Sequence, residues 1–516
     1  MDSNFHIFQL DLLMPIDYPK KILAADIYDL VRVTPLDETP KLSSRIENRV
    51  VLKREDLQSV FSFKLRGAYN CIRLLSEAQK KAGVVAASAG NHAQGVALAS
   101  RHLGIKATIV MPRTTPSIKV DAVRALGSKV ILHGDTYDEA SAHAHNLIEQ
   151  KGLTYIHPFD HPDVIAGQGT IAVEILQQLT GDIDAIFVAV GGGGLCAGVA
   201  SYIKHIRPEI RIVAVEPADA ACLKLALDTG RRGRLSHVGL FADGVAVAQI
   251  GAKTFPVLKQ FVDEVVTVST DEICAAIKDI YEDTRSIVEP AGALSVAGIK
   301  SYIARTGAKS KTFVGINCGA NMNFDRLRYI SERTEIGEKR EAVFAVTIPE
   351  KAGSFRKFCR TLGKRSITEF NYRYKDSGAA HIYVGVQIAT EKDREVLVTE
   401  LRTAGYPLLD LTDDELAKNH IRHMVGGHSA KVGEELIYRF EFPERPGALM
   451  AFLSTLGSKW NISMFHYRNH GAAFGRVMLG IQATKSERKE VGESLGSLNY
   501  EYWEETDNPA IQLFLG

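Results

Sequence analysis

Ala185-Ile186-Phe187-Val188-Ala189-Val190-Gly191-Gly192-Gly193-Gly194-Leu195 reads as a strand that runs through four glycines into a helix over Leu195 to Ile203. Six apolar residues in a row, three of them β-branched, suit a strand covered on both faces, as in parallel sheets flanked by helices. The same alternation extends in both directions. Upstream, Gly83 to Ser88, Ala107 to Met111 and Lys129 to Leu132 read as strands, with helices over Gln94 to His102, Pro116 to Leu126 and Asp138 to Gln150. Downstream, Ile212 to Glu216 is a further strand. Residues 1 to about 330 are therefore expected to form an α/β region in two lobes on mostly parallel sheet.

The four glycines suit an anion as well as a turn. At a helix N-terminus the backbone N–H groups converge without internal partners, and a residue lacking Cβ lets a phosphate approach them. A tight strand-to-helix connection would use the same residues. So would a dinucleotide site, with Glu216 as the ribose acid, although Gly191-x-Gly193 runs on to Cys196 without the third glycine of that fingerprint.

Ser62-Phe63-Lys64-Leu65-Arg66-Gly67-Ala68 precedes a helical pattern from Leu65 to Lys80. Alone, Lys64 would be one more solvated cation among 62 Lys and Arg. Its company alters that reading. Ser88-Ala89-Gly90-Asn91-His92 forms a second strand-to-helix turn, with Ser88 and Asn91 as candidate ligands or as ordinary N-caps. Gly315-Ile316-Asn317-Cys318-Gly319-Ala320-Asn321 follows a third strand, Thr312 to Val314, where Cys318 is either a small buried thiol or a site residue. Glu289-Pro290-Ala291-Gly292-Ala293 is equally consistent with a Pro-Gly turn.

Composition narrows the classes. A net charge of +1 gives no basic footprint for nucleic acid, and no apolar run approaches the roughly 18 to 20 residues that span a bilayer. Met1 to Lys20 carries Asp2, Asp11 and Asp17 and does not read as a signal or transit peptide, so a cytoplasmic protein is expected. The six cysteines have no CxxC spacing and read as reduced thiols, with no metal site implied.

Beyond Asn323 the character changes. Ser331 to Glu341 is a charged connector, and then the chain repeats itself. Pro349 to Gly363 matches Pro443 to Gly457 at an offset of 94, and Phe370-Asn371-Tyr372-Arg373 lines up with Phe465-His466-Tyr467-Arg468. Each copy reads strand, helix, strand, strand, helix, strand, a ferredoxin-like order, over 342–413 and 436–507.

Taken together, the Lys64 stretch, Ser88 to Gly95, Ile165-Ala166-Gly167-Gln168-Gly169-Thr170, the glycine tetrad, Cys318 to Asn321 and the repeated tail resemble the fold-type II (tryptophan synthase β-like) pyridoxal-phosphate enzymes. Within these they resemble the biosynthetic L-threonine dehydratases, which end in two ACT-like domains. The resemblance implies a catalytic unit over 1–330 that binds pyridoxal 5′-phosphate. Lys64 would be its Schiff-base lysine and general base, and the Ser88 loop would receive the substrate carboxylate. Asn91 would face the cofactor's phenolic oxygen, Gly191, Gly192, Gly193, Gly194 and Leu195 would hold its phosphate, and Cys318 would stand beside its ring nitrogen. A thiol is no carboxylate, so the ring nitrogen is expected to stay unprotonated and elimination to be favoured over transamination.

The resemblance further implies L-threonine as substrate, with L-serine as a second. Isoleucine and valine would be effectors near Gly353, Phe355, Tyr372 and Tyr467, and the assembly a homotetramer. L-serine dehydratases and racemases share the catalytic motifs and differ by lacking the paired tail. An NAD-linked oxidoreductase and a catalytically dead amino-acid sensor are the readings from other classes; intact Lys64 and Asn91 argue against the second.

Overall fold

The computed structural model describes residues 16–337, 340–349, 354–363, 365, 367–373, 379–423, 434–443, 452, 460–468, 474–498 and 500–514. The region before residue 330 holds two sheets. The larger has the order Leu36–Glu38, Arg49–Arg54, Thr312–Asn317, Ala185–Ala189, Arg211–Pro217, Glu264–Val268, parallel except for its first pair. The smaller is wholly parallel, in the order Lys129–Leu132, Ala107–Met111, Val84–Ala87, Thr154–Tyr155. Each carries its own core: Ile186, Phe187, Val213 and Phe313 lie in one, Val84, Ile109, Val96 and Ile72 in the other. These are the two lobes expected, and their central strands are buried runs because helices cover both faces.

The helix Lys64–Arg73 packs on Asn91–His102 and on Pro162–Gln178. The continuous helix expected over Leu65 to Lys80 is instead two. Ser76 ends the pattern by building a capping box with Gln79, which starts a separate helix, Glu77–Ala82. Beneath Lys64, four charges are buried together: Arg66 pairs with Glu55 and Glu174 at 2.7 and 2.5 Å, and Lys53 pairs with Glu174 at 2.6 Å. Two cations and two anions cancel, and Thr34, Thr170 and Gln178 take up further hydrogen bonds, so the cluster satisfies the demand that burial places on charge.

The C-terminal part holds two four-stranded antiparallel sheets of one topology. Their orders are Ile367–Arg373, Ala379–Gln387, Glu341–Pro349, Leu408–Asp410 and Asn461–Arg468, Phe474–Gln482, Glu435–Pro443, Tyr502–Glu504. Val343, Ala345 and Tyr383 of the first share a core with Ile437 and Met478 of the second. The charged stretch after residue 330 lies largely in the helix Arg326–Gly337. Its Arg333 pairs with Asp271 and with Glu415 of the helix Glu415–Asn419, just past the first repeat, and Lys418 of that helix also reaches Asp271. From the second repeat, Trp503 meets His237 edge-on at 6.3 Å between ring centroids. No helix among the described residues is long and apolar enough to cross a membrane.

Candidate active site

Three chain segments meet at Lys64, and backbone hydrogen bonds bring two of them together. Ser62 and Gly319 form an antiparallel bridge, Phe63 N donates to Cys318 O, and Ala320 N donates to Phe61 O. That short ladder delivers the end of the strand Thr312–Asn317 to the start of the Lys64 helix. Lys64 itself is half-buried, and its Nζ donates to Pro158 O at 3.0 Å. Burial lowers the amine to about 8, with Cys318 and Glu289 drawing it partly back. Removing an ammonium from water favours its neutral form, which is the nucleophile.

The glycine turn packs against the same Pro158–Phe159 segment, at Phe159. A Cβ on Gly192 would sit 2.3 Å from the Phe159 ring, and one on Gly194 would sit 2.9 Å from Phe159 O. Gly193 has φ +93° and stands at the N-cap of the helix Gly194–Ile206. The carbonyls of the turn face protein: Gly192 O accepts from Thr254 Oγ1 and Gly251 N, and Gly191 O accepts from the Cys222 thiol. Across a trans peptide the next N–H points the opposite way. Among the described residues no acceptor takes up the N–H groups of Gly191, Gly192, Gly193, Gly194 or Leu195. Five outward donors at the positive end of a helix fit a phosphate dianion.

Asn91 opens the helix Asn91–His102, three residues earlier than the sequence pattern places it, because Gly90 is the N-cap and no side chain caps there. Neither Ser88 nor Asn91 is thus an ordinary cap. The Ser88 hydroxyl accepts from Gly90 N at 3.3 Å and bends the loop; no described contact ties it to Lys64. Asn91 turns inward to Glu289 and Asn321. His92, pushed down to about 3 by burial and then by Lys64, is a neutral ring anchored on Ile156 O at 2.7 Å.

Cys318 is buried, its thiol is pushed upward by burial, and it donates to Ala291 O at 3.2 Å. It therefore brings a neutral sulfur and no anion to the cleft. Glu289, which the sequence left as part of a turn, is buried beside it, with its carboxyl lifted to about 7 chiefly by burial. The signal available was an acid directly before the proline that starts the helix Pro290–Thr306. Pro158, Phe159 and Gly244 carried no signal, since their place at the site comes only from folding.

The dinucleotide reading fails on Glu216. Its carboxylate is buried and accepts from Leu223 N at 2.7 Å and Lys224 N at 2.9 Å, which makes it the anchor of the helix Cys222–Thr229. A carboxylate spent on two backbone donors offers nothing to a ribose. Of the effector positions, Gly353 lies outside the described residues and Phe355 falls in the helix Ser354–Thr361. Tyr372 pairs with Ile382 and Tyr467 with Val477, equivalent places in the two sheets. Among the described residues no cluster of His, Cys, Asp and Glu could hold a metal ion.

Against known families, residues 27–319 match the "Pyridoxal-phosphate dependent enzyme" family. Residues 332–421 and 426–515 each match the "C-terminal regulatory domain of Threonine dehydratase". The chain is 54% identical over 502 residues to the L-threonine dehydratase biosynthetic IlvA of Burkholderia multivorans, covering 97% of this chain and 99% of that one. It is 53% identical over 500 residues to the protein of the same name in Escherichia coli, at 97% coverage of both. Among solved structures it resembles the processed form of threonine deaminase isoform 2 from Solanum lycopersicum, at 52% identity and a TM-score of 0.60, covering 61% of this chain and 92% of that one.

Proposed function

The chain belongs to the pyridoxal-phosphate-dependent threonine dehydratases that carry a duplicated regulatory domain, and on that premise we propose how its residues divide the work. The reaction is the deamination of L-threonine to 2-oxobutanoate and ammonia, begun by loss of water across Cα–Cβ. Residues 1–330 form the catalytic unit, 342–413 and 436–507 the two regulatory units. The observation that carries the reading is a lysine amine, lowered by burial, that bonds Pro158 O, while the neighbouring Phe159 packs on a glycine turn with five backbone donors that no described acceptor takes up.

Pyridoxal phosphate, when bound, supplies an aldehyde that links to amines and a conjugated ring that takes up the electrons left when Cα is deprotonated. Gly191 to Leu195 would hold its phosphate through backbone N–H groups, and the Lys64 amine would be the group that links to its aldehyde. The Lys64 Nζ, when free, would be the base that removes the Cα proton. Asn91 would donate its amide N–H to the phenolic oxygen, and the Ser88 to Asn91 turn would receive the substrate carboxylate. Cys318, held neutral, gives the ring nitrogen no anionic partner, which disfavours the protonated ring that transamination uses. The β-hydroxyl leaves with a proton as water.

Lys64→Ala tests the core of this. The purified wild-type protein should absorb in the visible, change spectrum on adding threonine, and produce 2-oxobutanoate; the variant should lose the bound chromophore and turnover together. A variant with normal turnover would end the proposal. Isoleucine and valine are read as its effectors, supported by the duplicated regulatory match, and the assembly as a cytoplasmic homotetramer.

A further inference from the structure

Glu289 stands at the N-cap of the helix Pro290–Thr306 yet makes no capping hydrogen bond there. An acid in that place ordinarily turns back onto its own helix's free N–H groups. Glu289 Oε1 instead accepts from Asn91 Nδ2 at 2.6 Å, on a helix of the smaller lobe. The other end of the Asn91 amide is held as well, because Asn321 Nδ2 donates to Asn91 Oδ1 at 2.7 Å. Asn321 Nδ2 also donates to Val60 O at 2.7 Å. Both of its N–H groups are thereby spent on carbonyl oxygens, so the Asn321 amide has one orientation.

That orientation passes to Asn91. A reversed Asn91 would set its oxygen against the Glu289 carboxyl and its nitrogen against Asn321 Nδ2, two clashes of like groups in place of two hydrogen bonds. Space for the arrangement is left by glycine: a Cβ on Gly319 would lie 2.5 Å from Glu289 Oε1 and 3.2 Å from Asn91 Nδ2. Gly319 is also the residue bridged to Ser62, two residues before Lys64, so the amide is tied to the lysine through one glycine. Asn91 Nδ2 carries a second hydrogen, for which the described residues offer no acceptor.

We propose that Glu289 and Asn321 are positioning residues, a two-sided clamp that holds the Asn91 amide with that second hydrogen free for the phenolic oxygen of pyridoxal phosphate. The inference rests on the reading of Asn91 given above and deepens it. Neither residue touches the reacting carbons. Their effect runs through Asn91, so it should appear in how tightly and in what ionic form the cofactor is held.

Apoprotein is titrated with pyridoxal phosphate, with fluorescence quenching read for affinity and the visible band across pH for the ionic form of the Lys64-linked chromophore. Glu289→Ala and Asn321→Ala should each weaken uptake roughly tenfold, the scale of one lost buried hydrogen bond to a charged group, and shift the band. Glu289→Gln, which keeps an acceptor oxygen, should recover part of the loss. In an Asn91→Ala background, Glu289→Ala should add nothing. Wild-type affinity and spectrum in both single variants, or the same loss with Asn91 absent, would overturn the clamp. If Glu289→Ala does not fold, Asn321→Ala with and without Asn91 carries the same comparison. A wild-type protein that takes up no pyridoxal phosphate would instead end the cofactor reading itself.

Discussion

At Lys64 two demands compete, and burial wins. Water stabilises an ammonium more than an enclosed cleft does, so the amine sits at about 8 although Cys318 and Glu289 pull the other way. The sign of the consequence is fixed. Below that value the apoprotein's lysine is protonated and cannot attack an aldehyde; above it the free base is present. Stopped-flow absorbance should show the rate of pyridoxal-phosphate capture rising with pH and levelling near 8, short of the ordinary lysine value of 10.5. The unfolded chain keeps its proton between those two values while the folded one has released it, so apoprotein stability should rise with pH across the same window. A capture rate still climbing steeply beyond pH 9 would show that the amine is not desolvated. Lys64 itself was legible from its neighbours in sequence, whereas Glu289 was not, because its partner Asn91 is far away in the chain.

At the scale of elements, the glycine turn is the feature on which strand, helix and anion site agree. The strand Ala185–Ala189 and the helix Gly194–Ile206 follow from local pattern, and the four residues between them must bring backbone close to Phe159. Gly192→Ala should therefore lower the melting temperature, by roughly 1 to 3 kcal/mol of overpacking, and weaken cofactor uptake as well. Gly181→Ala, where a Cβ meets nothing within 4 Å, should stay within about 0.5 kcal/mol of wild type. Calorimetry of the two variants distinguishes a packed turn from a merely flexible one; equal melting points would contradict the packing. Element ends were the least legible part of the sequence. The helical pattern read from Leu65 to Lys80 breaks at Ser76, because a capping box there outweighs apolar spacing.

Over the whole molecule, the helix Arg326–Gly337 joins the halves at both ends. Arg326 pairs with Asp243, which also pairs with Lys119 of the smaller lobe, and Arg333 pairs with Glu415, just past the first regulatory unit. The next residue, Gly244, faces Ala291 and Glu289. The two regulatory units share one core, so a ligand at either changes a common body. Isoleucine titrations of Tyr372→Ala and Tyr467→Ala should show inhibition at least tenfold less sensitive in one or both, a coupling change of about 1.4 kcal/mol, with threonine turnover retained. Curves superimposable on wild type would remove these tyrosines from the effector site. By itself the sequence determined the α/β class and the repeat in the tail, because periodicity and glycine placement are local properties of the chain; it singled out Lys64, Asn91, the glycine turn and Cys318 as candidates through the motifs they share with a known family. Only the tertiary structure decided that Glu216 anchors a helix, that Glu289 and Asn321 hold Asn91, and that the Lys64 helix rests on four buried charges. Each of those depends on which distant group fills the space beside a side chain, and hydrogen bonds and desolvation act through space, not along the chain.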